Sequence, residues 1–360
     1  MSTSTEPSAP IKKRQSTRGS TAVTVQDVAY EVGVSKTTAA SILRGAPQFQ
    51  VSETTRQRVL DAAKSLGYRR HAVAVALSSG CTNTVGLLLP LASVGAKLPA
   101  SRIYGQDIFT AVFQAASRAN LRVTAIPVPS GPDARLRVQD VTDRSVDGVV
   151  IASLRDAEFV QQVYEAGIPC VEIGSGHGKH LFHPDNEGGA EAAIKHLVEL
   201  GHQRIIHWRG AGDNYASVYR RKGFLDAASR HGLCPQSAKV VTSREEVVSL
   251  LTRPATERPT ALFAYNDYQA LMTLDIAREL GLRVPQNLSV VGFDDNILAE
   301  SARPQLTTVH NPLGTQADSA IQLLQALWRS EEEPMAPYAV PTHLIVREST
   351  APAPPASAAA

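Results

Sequence analysis

Cysteine is scarce: Cys81, Cys170 and Cys234 are the three in 360 residues, scattered and odd in number, which excludes a disulfide framework and a cysteine-based metal site. Long apolar runs are also missing. No stretch of about 18 apolar residues occurs, so nothing in the sequence reads as a membrane span. The first residues lack the apolar stretch of a secretion signal, and the expected location is the cytoplasm. A P-loop, a G-x-S-x-G elbow and a paired-carboxylate arrangement are absent as well, so the sequence offers no enzymatic machinery and implies no cofactor.

What is there begins with charge. The net +2 conceals +6 in residues 1–80 against −4 in the remainder. A small basic head on a slightly acidic body is the footprint of nucleic-acid binding through one end. Apolar residues make up 43% of the chain, enough for two or more cores.

Residues 24–45, T-V-Q-D-V-A-Y-E-V-G-V-S-K-T-T-A-A-S-I-L-R-G, read as two short helices broken by Gly33, the pattern of a helix-turn-helix. Thr24 and Asp27 start the first helix, and Val25, Val28, Ala29 and Val32 form its buried stripe. Ser35 caps a second helix whose exposed start, Lys36, Thr37 and Thr38, lies one turn before Ser41. These side chains are short or cationic, so a DNA groove can approach them closely. An ordinary surface hairpin gives the same pattern, and the neighbouring sequence decides. A third helix, capped by Ser52, places Val59, Ala62, Ala63 and Leu66 at helical spacing to close a core against Val28 and Ile42.

The string D-V-A…G-V-S-K-T-T…I-L-R-G, continued by V-S-E-T-T-R-Q-R-V-L-D-A-A-K-S-L-G-Y, resembles the DNA-binding domain of the lactose/galactose repressor (LacI/GalR) family, and the resemblance runs over almost the whole chain. It implies that Lys36, Thr37 and Ser41 face bases while Thr24, Ser35 and Thr38 hold phosphates, with Arg44 added to the DNA-facing set. Two positions depart from the family pattern: Ala40 replaces a phosphate-contacting Ser, and Ser41 an Arg. The family also has a hinge that folds on operator DNA, where a Leu at the position of Leu77 wedges into the minor groove. Here Arg70-His71 replaces the usual Pro-Asn, and Val75 the usual Arg.

From residue 84 strands alternate with helices. Apolar β-rich runs fall at 85–89, 121–126, 146–151 and 168–173, then at 204–208, 239–241, 261–264 and 289–293, with helices such as 108–119 and 159–166 between them. Two parallel sheets side by side leave a cleft at the carboxyl ends of their strands, where ligands of α/β folds bind. The expected architecture is an all-α helix-turn-helix head plus an α/β periplasmic-binding-protein-like core of two parallel-sheet subdomains. Its parts are a disordered basic tail (1–22), the head (23–69), a hinge (70–82), a core (83–350) and a disordered tail (351–360). Within the core, the first subdomain takes 83–182 and 296–330, the second 183–295 and 331–350.

The motifs H-P-D-N-E-G-G-A, P-T-A-L-F-A-Y-N-D and V-G-F-D-D extend the resemblance to the effector core that this family shares with periplasmic sugar-binding proteins. It implies effector contacts from Arg220, Asn266 and Asp294, with Asn311 adding one and Trp208 either stacking on a sugar or sitting in the core. A guanidinium, a carboxylate and an amide together suit a polyol. Asp185 and Asn186 read as helix caps. Gly174 stands where an Asp is common, and Lys97 and Arg102 in the loop 91–104 would suit a carboxylate or phosphate on the effector. The loop G-S-G-H-G-K-H-L-F-H, with His177, His180 and His183, lacks metal-ligand spacing and reads as an exposed Gly-rich loop.

The expected function is a ligand-controlled transcription regulator, a repressor acting as a homodimer on pseudo-palindromic operator DNA, with a small polar effector, a sugar or sugar derivative. Tetramer against dimer, and corepression against induction, stay open. The alternatives are a solute-binding protein, for which residues 24–80 have no use, and a sugar-processing enzyme, which lacks its catalytic groups.

Overall fold

The computed structural model describes residues 22–45, 50–90, 99–128, 136–141, 143–154, 156–174, 176, 178–210, 212–333 and 338–355. The chain divides into two units, Met1–Cys81 and Thr82–Ala360.

In the first unit, α1 (Val25–Val32), α2 (Lys36–Arg44) and α3 (Glu53–Ser65) are followed by α4 (Ala72–Ser79). Local chemistry sets their ends. Thr24 and Asp27 form a reciprocal capping box, in which the Asp27 carboxylate takes the Thr24 N–H at 2.8 Å. Gly33, at φ 71°, turns the chain into α2, whose first turn is capped by Ser35 accepting the Thr38 N–H at 3.0 Å. Val28, Ala29, Val32, Ala39, Ile42, Val59, Ala62 and Ala63 close the core. The hinge segment is helical as α4, ends at Gly80 with φ 70°, and leaves Leu77 83% exposed.

The second unit holds two six-stranded sheets. The first runs β11 (Ala339–Val340), β5 (Leu181–Pro184), β4 (Cys170–Ile173), β3 (Gly148–Ala152), β1 (Thr84–Leu89) and β2 (Arg122–Pro127), with parallel pairing throughout. Helices α5 (Pro99–Arg118) and α12 (Leu313–Arg329) share one of its apolar clusters, and α6 (Ala157–Glu165) another. The second sheet runs β12 (His343–Ile345), β10 (Thr307–His310), β9 (Ser289–Asp294), β8 (Ala261–Ala264), β6 (Ile205–Trp208) and β7 (Ala238–Val241). Its helices are α7 (Asn186–Glu199), α8 (Tyr215–Arg230), α9 (Arg244–Leu251), α10 (Asp267–Glu279) and α11 (Ile297–Ser301). Strands buried on both faces read as continuous apolar runs, which is why G-V-V-I-A and A-L-F-A stand out in the sequence.

Three expectations need correction. The subdomain boundaries differ: β5 reaches Pro184 within the first sheet, residues 296–311 with α11 and β10 belong to the second, and β11 returns to the first before β12 joins the second. The chain therefore crosses after β5, β10 and β11. Not every pair is parallel, because β12 is antiparallel to β10. The tail after Thr350 is ordered at its start: the Ala351 N–H bonds Ser289 Oγ at 3.1 Å and the Ala353 N–H bonds the Leu200 carbonyl at 2.8 Å. Those backbone bonds hold a Pro/Ala segment whose composition reads as low complexity. The basic tail up to residue 21 lies outside the described residues.

Candidate functional site

Lys36, Thr37 and Arg44 are exposed on α2, and Thr24 and Ser35 are exposed at helix starts. Thr38 is half-buried, its hydroxyl 2.8 Å from that of Ser35. The cap hydroxyls are thus fixed in place by the backbone they serve. Ser41 departs from expectation: it is 7% exposed and does not join Lys36 and Thr37 on the surface. A serine is too short to climb out of the packed side of α2 as an arginine at the same position can.

In the second unit a cleft of about 1210 Å3 lies between the two sheets. Arg220 and Asp294 meet in it, with side chains 3% and 10% exposed. Arg220, from α8, donates to Asn186 Oδ1 at 2.9 Å, to the Tyr265 carbonyl and to Asp294 Oδ1 at 3.3 Å, while its guanidinium carbon stacks 3.5 Å from the Phe293 ring centroid. Three of its N–H groups are engaged and Phe293 stacks against it, which holds the cation beside its partner. Asp294 ends β9 with φ 109°, a conformation that L residues adopt only when their surroundings enforce it. Its neighbour Asp295, at φ 55°, is pinned by Arg347 at 2.7 Å and His310 at 2.9 Å. Burial raises the Asp294 pKa, against the pull of Arg220 and Asn311.

The expected effector residues divide. Arg220, Asp294, Asn266 and Trp208 line the cleft. Asn266 also caps α10, accepting the Gln269 N–H at 3.0 Å, and Trp208 is 3% exposed, its bulk in the core of the second subdomain. Asn311 is not a lining residue. It is 4% exposed, donates to Asp294 Oδ1 at 3.3 Å and accepts from Gln316 Nε2 at 2.7 Å, and so orients the carboxylate from behind. Asp185 alone caps α7; Asn186 is buried and holds Arg220 instead. Lys97 and the Arg102 side chain lie outside the described residues, as does His177.

Sequence reasoning missed several partners. Tyr265 covers Arg220 at 4.9 Å and donates to Asn214 Oδ1 at 3.1 Å. Tyr215 bonds His183 Nε2 at 3.0 Å across the cleft, so His183 is a cleft residue, and His180 is buried against the Cys170 carbonyl. Tyr104 closes the space at Gly174: a Cβ there would stand 3.1 Å from the Tyr104 hydroxyl. Asp267 is fully buried, accepts from Thr308 Oγ1 at 2.5 Å and from the Asn296 N–H at 3.0 Å, and is pushed well above the usual carboxylate range by burial and by Asp294. The adjacent acids in N-D and D-D were the available signal, but sequence does not say which acid faces the ligand.

Residues 24–71 match the family model for bacterial regulatory proteins of the lacI family, and residues 194–350 that of the periplasmic binding protein-like domain. The HTH-type transcriptional regulator DegA of Bacillus subtilis (strain 168) is 30% identical over 347 residues, 91% of this chain and 98% of DegA. The chain belongs to the LacI family. Among solved structures, the transcriptional regulator CelR-cellobiose complex is 30% identical with a TM-score of 0.63, covering 91% of this chain and 99% of that one. The lac repressor dimer bound to operator and the anti-inducer ONPF shares the fold, with a TM-score of 0.76 at 24% identity, covering 92% of this chain and 99% of that one. As a LacI-family protein the chain is a DNA-binding transcription regulator. Among the described residues no helix is long and apolar enough to cross a membrane.

Proposed function

We propose that this regulator is a repressor that binds a pseudo-palindromic operator as a homodimer in the cytoplasm, and that a sugar or sugar derivative in the cleft controls the grip. It is not an enzyme. Lys36 and Thr37 read base edges, Thr24, Ser35 and Thr38 hold phosphates, Arg44 adds a cationic contact, and Leu77 enters the minor groove. One head is too small to discriminate a genome, and two heads on one symmetric site combine their contacts.

The observation that carries the effector reading is the buried Arg220–Asp294 pair inside a cleft of about 1210 Å3. Such a pair is a poor device for stability alone, because desolvation offsets its attraction. A polyol repays that cost: Arg220 donates to one hydroxyl, Asp294 accepts from two, and the Asn266 amide does either. The similar CelR structure is a complex with cellobiose, which supports a sugar in this cleft. Binding favours one arrangement of the two subdomains, and the difference in affinity between arrangements is the whole driving force for the change in DNA grip. Selection of bound sequences from random duplexes, repeated with a panel of sugars and sugar acids, tests this; failure to enrich any palindrome would refute it.

A further inference from the structure

Two histidines that do not line the cleft meet where the chain passes between the sheets. β10 ends at His310 just before the chain crosses to the first subdomain, and β12 begins at His343 just after it crosses back. The antiparallel register sets His310 directly opposite His343. Opposed residues of such a pair share one face of the sheet with their Cβ atoms close together, and here the ring centroids are 4.9 Å apart with planes inclined at 39°.

The two rings are held differently. His310 Nδ1 lies 2.9 Å from Asp295 Oδ2, and Arg347 takes the other carboxylate oxygen at 2.7 Å while also bonding the Leu306 carbonyl at 3.0 Å. Asp295 is 11% exposed and His310 37%. The carboxylate selects the tautomer in which Nδ1 carries the proton and donates, which leaves Nε2 with its lone pair. A carboxylate behind an imidazole is the usual support of a metal-ligating histidine. His343 is exposed, and its ring makes no hydrogen bond with a described residue. The Arg347 charge is already offset by Asp295 and by Glu300 at 3.8 Å.

We propose that His310 and His343 form a two-imidazole site for a divalent ion of the zinc, nickel and copper group, with Asp295 as the positioning residue behind His310. Imidazole nitrogen suits these ions, whereas magnesium and calcium require oxygen. Tetrahedral sharing of one zinc ion places two ligand nitrogens about 3.3 Å apart, within reach of rings whose centroids stand 4.9 Å apart. Among the described residues no three His, Cys, Asp or Glu side chains are placed to hold an ion, so water completes the coordination. A bound ion ties β10 to β12 at two of the chain crossings. It also stands beside the effector pair through the backbone, because Asp295 follows Asp294 and His310 precedes Asn311, which bonds Asp294 at 3.3 Å.

Calorimetric titration of the full chain with zinc chloride, repeated with magnesium chloride, tests the site. The unmodified protein should bind zinc and not magnesium. His310→Gln and His343→Gln should each lose one zinc per chain, or weaken that ion by more than the about tenfold that loss of an outer partner costs. Zinc should raise the thermal midpoint of the unmodified second unit and leave that of His343→Gln unmoved. In chelator the His343→Gln protein should unfold as the unmodified one does, which reports that the variant is folded. No zinc binding to the unmodified protein, equal binding of magnesium, or zinc binding unchanged in either variant would overturn the site, since ions held by other histidines or by Cys234 persist in both variants.

Discussion

In the first unit, Lys36, Thr37 and Arg44 stand exposed around a core of small side chains, each able to meet a ligand without help from the others. In the second unit, Arg220 and Asp294 are sealed to 3% and 10% exposure, and each is held by neighbours that are themselves buried. The contrast follows from the ligands. A polyanionic duplex is attracted through water, so exposed cations suffice. A cleft that is to surround a small ligand needs contacts built in advance, at a cost to stability. Damage to one unit should therefore appear as lost affinity, and damage to the other as lost folding.

The largest effect is expected from Asp294→Ala. Removing one partner of a buried pair leaves the Arg220 charge uncompensated, and the second unit should lose about 3–5 kcal/mol in denaturant unfolding. A change under about 1 kcal/mol would mean the cleft is more solvated than its burial indicates.

Acid should separate the two units next. His202 is 1% exposed, with bonds to Thr260 at 2.9 Å, Ser289 at 3.0 Å and the Ala351 carbonyl at 3.1 Å, and burial lowers its pKa to about 4. Because the folded value lies below the unfolded 6.5, neutral His202 favours the fold. That contribution is complete above pH 6.5 and is lost as pH falls toward 4. Relative to His202→Gln, the unmodified protein should lose stability across this window, by up to ~3 kcal/mol. A difference that stays flat with pH would contradict the buried neutral imidazole.

Lys36→Ala should leave unfolding of both units unchanged and weaken operator binding by about 1–3 kcal/mol, with relaxed preference at one base position. An equal loss on random duplex would show a phosphate contact only. The smallest effect is Thr24→Ala, which removes half of a capping box and should lower stability of the head by about 1 kcal/mol, read as a small shift in its thermal midpoint, together with a modest loss of operator affinity from its phosphate contact.

The same contrast explains what the sequence could reveal. Helix starts at Thr24, Ser35 and Ser52 were legible because each cap bonds a backbone group three residues away. Strands such as 261–264 were legible as apolar runs. In the cleft, residue types were readable at Arg220 and Asp294, but the partners were not: Asn186 lies 34 positions from Arg220, and Tyr104 reaches Gly174 from another element. The short strands β11 and β12 were missed because their pairing is set by the returning chain, with two or three residues of pattern in each. Ser41 occupies a position that matches a base-reading one, yet its burial follows from its own short side chain.

The most direct test of the whole account is operator titration by fluorescence anisotropy at one fixed salt concentration, using the duplex recovered by selection, with and without the sugar that binds the cleft. The account predicts at least about a thousandfold preference for that palindrome over a scrambled duplex, and a shift of about fivefold or more when the sugar is present. Equal binding to both duplexes, or an operator affinity that the bound sugar leaves unchanged, would contradict it.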